Sequence, residues 1–286
     1  MTKSPSQKKG LIQWHRFRIP YRVYGNGEDV LCLNGAQQSM AMWFSFLQRF
    51  GQRYRITLFD FPHQGKAQIL HGPSRISLEE QVAIVREVMR AAGIRQATVC
   101  SASWGGVVAL LFALRFPALT QRLILASIGM KPNERMRRTI MQGVTMEKEE
   151  RVSMAETLIA SFGSCLSEKF KKQITRQFES MSAERLGEFC EHGLSVINAG
   201  ALDKVVALHE VSVPTLVLYG ENDPIIDFED VELLALKIGG CGVYRIPGVG
   251  HFLHLEDEKV FDVYAAILSG GEVYHSSSRK ICPLYF

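Results

Sequence analysis

Val99–Val108, VCSASWGGVV, sets an apolar run against two serines one residue apart and a pair of glycines. The run ATVCSA (97–102) suits a buried strand, and WGGVVALLFALRF (104–116) suits a helix that Pro117 ends. Ser103 stands at the turn between them. Working outward, strands and helices alternate from about Asp29, which predicts an α/β fold: a mostly parallel sheet with helices on both faces. On the N-terminal side DVLCLNG (29–35) reads as a strand, MAMWFSFLQRF (40–50) as a helix, and YRITLFDFP (54–62) as a strand stopped by its proline. Ser77 is placed to cap the next helix, with glutamates in its first turn and Gly93 at its end. On the C-terminal side the strand QRLILASIG (121–129) is followed by two strand and helix units. These are PTLVLYG (214–220) with FEDVELLALKIGG (228–240), and GVYRIPG (242–248) with EDEKVFDVYAAIL (256–268). Ahead of all of them, Trp14–Tyr24 alternates as an antiparallel lead-in hairpin.

The alternation fails between Met130 and Leu208, where the text is helical and mixed in charge. The expected organisation is therefore a core over 11–129 and 209–270, a helical lid insertion over 130–208, and loose termini at 1–10 and 271–286. Ligands of such sheets bind beyond the carboxyl ends of the strands, where a lid would sit.

Composition narrows the function classes. Hydrophobic residues make up 47% of the chain and charged ones 22%, which fits a globular protein with one large core. The net charge of +4 comes from 33 basic and 29 acidic residues spread along the chain, so nothing points to nucleic acid. No apolar run approaches the roughly 20 residues needed to cross a bilayer. MTKSPSQKKG is not followed by a signal-peptide core. The six cysteines are scattered without metal-site spacing, and reduced thiols in a cytoplasmic protein are the expectation.

A strand, a turn through one serine and a helix entered through glycines resembles the nucleophile elbow of α/β-hydrolases, G-x-S-x-G. The register fits Ser101-x-Ser103-x-Gly105, making Ser103 the nucleophile and Ser101 the small flanking residue; the competing reading makes Ser103 a helix cap. A serine hydroxyl needs a base, and the base needs a carboxylate to orient it. In the chain order of this fold, Asp223 in VLYGENDPII and His251 in YRIPGVGHFLHLE follow the ends of late strands. Asp227 and Asp230 read instead as helix-start charges, and Glu221 as preceding the turn. His254 reads as a packing or surface histidine, not as half of a metal pair. The oxyanion donors are expected to be the N–H groups of Trp104 and Ala36, with Gln37 second, and Asn34 to cap its turn.

The set LNGA, LFDFPHQGKA, SASWGG and GVGHFLHLE is similar to a narrower pseudomonad family. It contains the 3-(3-hydroxyalkanoyloxy)alkanoate synthase of rhamnolipid biosynthesis and a 3-hydroxyacyl-carrier-protein transacylase or thioesterase. SASWGG is closer to the synthase branch, since the transacylase branch carries Phe where Ala102 stands. The sequence departs from the wider pattern at Lys66-Ala67 and in NGAQQSM. The resemblance implies a serine acyltransferase with Ser103, His251 and Asp223 as its triad and no metal or redox cofactor. It would move a 3-hydroxyacyl group from a coenzyme A or acyl-carrier-protein thioester to the hydroxyl of a second 3-hydroxyacyl group. The alternatives are a carboxylesterase or thioesterase with the same triad, and a non-catalytic ligand-binding member of the fold. Six methionines (Met130, Met136, Met141, Met146, Met154, Met181) and Phe162, Phe170 and Phe178 suggest an apolar tunnel under the lid. From Lys131 to His192 eleven basic and ten acidic residues nearly cancel; Arg135, Arg137, Arg138, Lys169, Lys171 and Lys172 are the candidates for a phosphate contact.

Overall fold

The computed structural model describes residues 7–147 and 150–270. It begins with the hairpin β1 (Gln7–Trp14) and β2 (Phe17–Tyr24), followed by β3 (Glu28–Leu33), a 3-10 turn at Met40–Trp43 and α1 (Phe44–Phe50). Next come β4 (Tyr54–Phe59), the two-residue β5 (Gln68–Ile69), α2 (Leu78–Ala92), β6 (Ala97–Ala102), α3 (Trp104–Arg115) and β7 (Thr120–Ala126). Four helices then intervene: α4 (Glu134–Thr145), α5 (Arg151–Phe162), α6 (Glu168–Glu179) and α7 (Ala183–Asn198). The sheet resumes with β8 (Thr215–Gly220), α8 (Phe228–Lys237), β9 (Gly242–Ile246), α9 (Leu253–Glu256) and α10 (Val260–Leu268).

The strand order is β1-β2-β4-β3-β6-β7-β8-β9, with β5 paired to β2. Every pair from β4 to β9 is parallel, and the pairs made by β2 are antiparallel. Because β3 lies between β4 and β6, the direction of winding reverses at β3/β6. That reversal opens the crevice where ligands of open α/β sheets sit.

Strand periodicity explains the layers. Leu31, Leu33, Val99, Leu123, Leu125 and Val217 point to the face covered by α2, α3 and α8. Their neighbours Val30, Cys32, Cys100, Ile124, Leu216 and Leu218 point to the face covered by α1 and α10. Both sets are buried, which is why these strands read as continuous apolar runs. α2 starts where the sequence predicts: Ser77 Oγ accepts from Glu80 N at 3.1 Å, and Glu80 Oε2 accepts from Ser77 N at 2.9 Å. Gly93, at φ +72°, ends it. The helices between β7 and β8 carry a small core of their own, built on Met154, Ala155, Phe178 and Leu186. Among the described residues no helix is long and apolar enough to cross a membrane.

Three expectations change. Residues 7–10 are paired in β1 against β2 and are not part of a loose terminus. The hairpin spans 7–24 and turns at His15, because solvent-facing polar residues at 7–9 conceal the strand from a periodicity reading. MAMWFSFLQRF is a 3-10 turn leading into α1, and the last helical segment is divided between α9 and α10. Residues 1–6 and 271–286, including the expected tail and Cys282, lie outside the described residues.

Phe112 in α3 is fully buried in the layer that holds the elbow helix against the sheet. Phe112→Ala is expected to lower unfolding free energy by about 3–5 kcal/mol, seen as an earlier urea midpoint at unchanged slope.

Candidate active site

The elbow follows from steric limits at the end of β6. Ser103 adopts φ +47° and ψ −119°, and its side chain makes no capping bond to α3, so the helix-cap reading fails. Its N–H donates to Ala126 O at 2.8 Å, and its carbonyl accepts from Gly106 N at 2.8 Å. A Cβ at Gly105 would lie 2.6 Å from Asn34 O and 2.8 Å from Leu33 O, so only glycine lets α3 pass β3 this closely. Ser101 is wholly buried, its Oγ without a hydrogen-bond partner, and it has no access to a substrate.

Asp223 and His251 come together in the loops after β8 and β9, on the same strand-end edge of the sheet as the elbow. His251 Nδ1 donates to Asp223 Oδ2 at 2.8 Å, leaving Nε2 as the basic nitrogen. Asp223 Oδ1 accepts from Ile225 N at 3.0 Å and Ile226 N at 3.2 Å, which locks the carboxylate in the loop after β8. The rival acids are engaged elsewhere. Asp227 accepts from Asn133 Nδ2, and Glu221 pairs with Arg245 and accepts from Gly248 N. Among the described residues no hydrogen bond joins Ser103 to His251. Such bonds are often long without substrate and tighten when it binds.

The loop after β3 carries Ala36 and Gln37. Among the described residues the N–H groups of Ala36 and Trp104 donate to no other protein group, as free oxyanion donors must. Gln37 is at φ +64°, and its Nε2 donates to Phe189 O of α7 at 2.5 Å. Asn34 does not cap its own turn, which Gln38 Oε1 caps by accepting from Gly35 N at 2.8 Å; it ties separate segments together. Its Nδ2 donates to Phe59 O at 2.9 Å and Gln64 Oε1 at 3.0 Å, while its Oδ1 accepts from Trp43 Nε1 at 3.0 Å. Gln64 Nε2 in turn donates to Gly35 O at 2.8 Å, and Asp60 Oδ1 accepts from Met40 N at 2.6 Å. Asn34, Asp60 and Gln64 are all buried, and together they fix the backbone from which Ala36 projects.

Other residues that sequence reasoning passed over hold the histidine loop. Ser127 Oγ donates to His251 O at 2.7 Å, and Glu256 accepts from Gly250 N at 2.5 Å and Phe252 N at 3.0 Å. Burial pushes the Glu256 carboxyl up, against the pull of those two N–H groups. A terminal Glu in GVGHFLHLE is visible in the sequence, but its partners are backbone groups that no residue pattern announces.

Ser103 lines an apolar cavity of about 60 Å³ with Trp104, Ile128, Met130, Met136 and Ile226. Of the six methionines expected to form a tunnel, only these two line it. Met154 and its packing neighbours Met146 and Met181 fill the core of the inserted helices, and Met141 is exposed. The basic candidates are largely occupied: Arg138 and Lys171 pair with Glu134 and Glu168, and Arg135 and Arg137 donate to backbone carbonyls. Among the described residues no cluster is arranged to hold a metal ion.

His254 is a buried packing residue. It stacks on Trp43 with ring centroids 5.1 Å apart, and its Nε2 donates to Met42 O at 3.0 Å.

The family model described as "alpha/beta hydrolase fold" matches residues 30–258. The (R)-3-hydroxydecanoyl-ACP:CoA transacylase of Pseudomonas putida is 23% identical over 83% of this chain and 81% of its own length. A pimeloyl-[acyl-carrier protein] methyl ester esterase of Nitrosospira multiformis is 28% identical over 84% of this chain and 94% of its own. The crystal structure of an alpha/beta hydrolase enzyme from a Medee basin deep-sea metagenome library superposes with a TM-score of 0.80 at 19% identity. That match covers 94% of this chain and all of the other.

Two stability tests follow from the site. Asn34→Ala strands the buried Trp43 indole N–H and is expected to cost about 1–3 kcal/mol in urea unfolding. Burial pushes His254 down to about 4, below its unfolded value of 6.5. The neutral ring therefore contributes its full stability above pH 6.5 and loses it as pH falls towards 4, by about 3 kcal/mol at the acid end. His254→Phe is expected to flatten that part of the stability profile; an unchanged slope between pH 6.5 and 4 would refute the assignment.

Proposed function

The chain belongs to the alpha/beta hydrolase fold family, and from that premise we propose that it is a serine acyltransferase acting on 3-hydroxyacyl thioesters. The observation that carries the reading is the arrangement of the strand ends: Ser103 on a left-handed turn in the wall of an apolar cavity after β6, and His251 held by Asp223 in the loops after β9 and β8, on the same edge of the parallel sheet. The names of the similar transacylases support a coenzyme A or acyl-carrier-protein thioester as the donor.

In this mechanism Ser103 Oγ attacks the thioester carbonyl carbon while His251 Nε2 takes its proton. The N–H groups of Trp104 and Ala36 receive the developing oxyanion. The C–S bond breaks, and the thiol leaves with the proton from His251. The 3-hydroxyl of a second acyl group, deprotonated by His251, then attacks the acyl-serine. A 3-(3-hydroxyalkanoyloxy)alkanoyl product departs, and Ser103 recovers its proton. Asp223 stays ionised throughout, holding the imidazole tautomer and stabilising the imidazolium. The helices α4–α7 act as a lid over the crevice, excluding water from the acyl-serine.

Hydrolysis by the same triad is the second reading, favoured by the 28% identity to the methyl ester esterase. Mass spectrometry of products from medium-chain 3-hydroxyacyl thioesters separates the two. A dimeric ester is expected, and free acid alone overturns the transferase. Ser103→Ala should abolish turnover, Asp223→Asn should slow it on the order of 10⁴-fold, and Ser101→Ala should leave most of it. Turnover by Ser103→Ala at the parent rate would remove the triad reading altogether.

A further inference from the structure

The cavity that Ser103 lines is small, and its walls are fixed by different parts of the chain. Ile128 and Met130 come from the loop after β7, Met136 from α4, Val196 from α7 and Ile226 from the loop after β8. Its polar side chains are accounted for. Ser103 is the nucleophile of the reading above, Ser127 Oγ donates to His251 O, and the exposed Lys131 has the charge of Asp230 as a neighbour. Such walls suit an alkyl chain. The amide-bearing thiol arm of a coenzyme A or carrier-protein thioester would lose its hydrogen bonds to water among them, so the acyl half of the substrate is the better occupant.

The volume bounds the length of that chain. A cavity needs about 10–15 Å³ to hold one water-sized group. At about 60 Å³ this one takes about four or five such groups in a row, which with the carbonyl carbon at Ser103 makes about a six-carbon acyl chain. Little of the wall can give way to more. Met130 N donates to Asp230 O at 3.1 Å, and Met130 O accepts from Leu202 N at 2.7 Å. Ile128, Val196 and Ile226 are buried and β-branched, which restricts them at χ1. Met136 differs from these: it is buried on one of the inserted helices, and its side chain is unbranched with three rotatable bonds.

We propose that the Ser103 cavity houses the acyl chain and limits it to about six carbons, with Met136 as the residue that determines the limit. The assignment rests on Ser103 as the nucleophile of the reading above. It does not depend on the thioester donor, nor on whether water or an alcohol ends the reaction. Each methylene taken from water into the cavity is worth about fourfold in binding. Once the cavity is full, further carbons stay in water or must displace Met136, and the gain stops.

The test uses ethyl p-nitrophenyl alkylphosphonates with chains from propyl to nonyl, in which phosphorus stands where the acyl carbonyl carbon would. Ser103 Oγ bonds to phosphorus, p-nitrophenolate leaves, and its colour reports the rate. The second-order rate constant should rise about fourfold per methylene as far as pentyl, the counterpart of a six-carbon acyl chain, and then level or fall. Met136→Ala removes the side chain beyond Cβ and should move that break about three carbons outward. Ala199→Leu, which adds bulk to the wall from the end of α7, should move it inward. Thermal melting shows that each variant is folded, and either one alone decides the matter. A rise that continues to nonyl, a break that a folded variant leaves in place, or no modification of Ser103 at any chain length overturns the assignment. Free acid as the sole product from thioesters would overturn the transferase reading while leaving this result intact.

Discussion

A side-chain-bearing residue held at positive φ is strained by about 1–3 kcal/mol, and the surrounding structure must over-determine it. Ser103 at φ +47° is such a residue, and the constraint reaches well beyond the turn. Its N–H is tied to β7 through Ala126 O, and Gly105 brings α3 against the carbonyls of Leu33 and Asn34 at the end of β3. The parallel registry of β3, β6 and β7 is therefore what keeps the serine on its turn. Gln37, His63 and Ser127, each in a loop beyond the carboxyl end of β3, β4 or β7, also have positive φ. Strain concentrates on the one edge of the sheet where the crevice lies.

That edge is held by polar groups taken out of water, and this makes it specific as well as rigid. A buried amide is costly unless all its bonds are made. Asn34, Gln64 and Asp60 make theirs to one another, to the Trp43 indole and to the backbone of the loops after β3 and β4. The Ala36 N–H consequently has little freedom to wander, and a preorganised donor stabilises developing charge without reorganising when the charge appears. Glu256 and Ser127 do the same for the histidine loop, one through the N–H groups on both sides of His251 and the other through its carbonyl.

The parallel core was legible because both faces of each strand are buried, which writes the strands as short apolar runs punctuated by Gly and Pro. Asp223, His251 and Ser103 were legible for a related reason: each follows such a run, and strand ends converge in this fold. The Asn34 network was not, because its members lie in three separate segments and only the closed sheet brings Trp43 Nε1 and Gln64 Oε1 to one amide. The start of β1 was hidden by a solvent-facing edge, where alternation loses its apolar half. The methionines misled because adaptable side chains fill a helical core as readily as they line a tunnel, and composition does not distinguish the two.

In the acyl-transfer reading, the contest between water and an alcohol depends on how α7 meets the core. Gln37 Nε2 donates to Phe189 O, Arg185 Nη2 donates to His63 O at 3.1 Å, and Ser74 Oγ donates to Glu191 at 2.7 Å. At about 0.5–1.5 kcal/mol net for each bond, the three add to the apolar seat that Val196 of α7 makes in the main core. Gln37 also directly follows Ala36, so the contact that seats α7 lies beside the oxyanion donor. In that reading the state in which α7 shuts out water is also the one in which this contact steadies the loop that carries the Ala36 N–H. An acceptor positioned in that state gains effective molarities of about 10⁵ M or more, far above the concentration of the water it must outcompete.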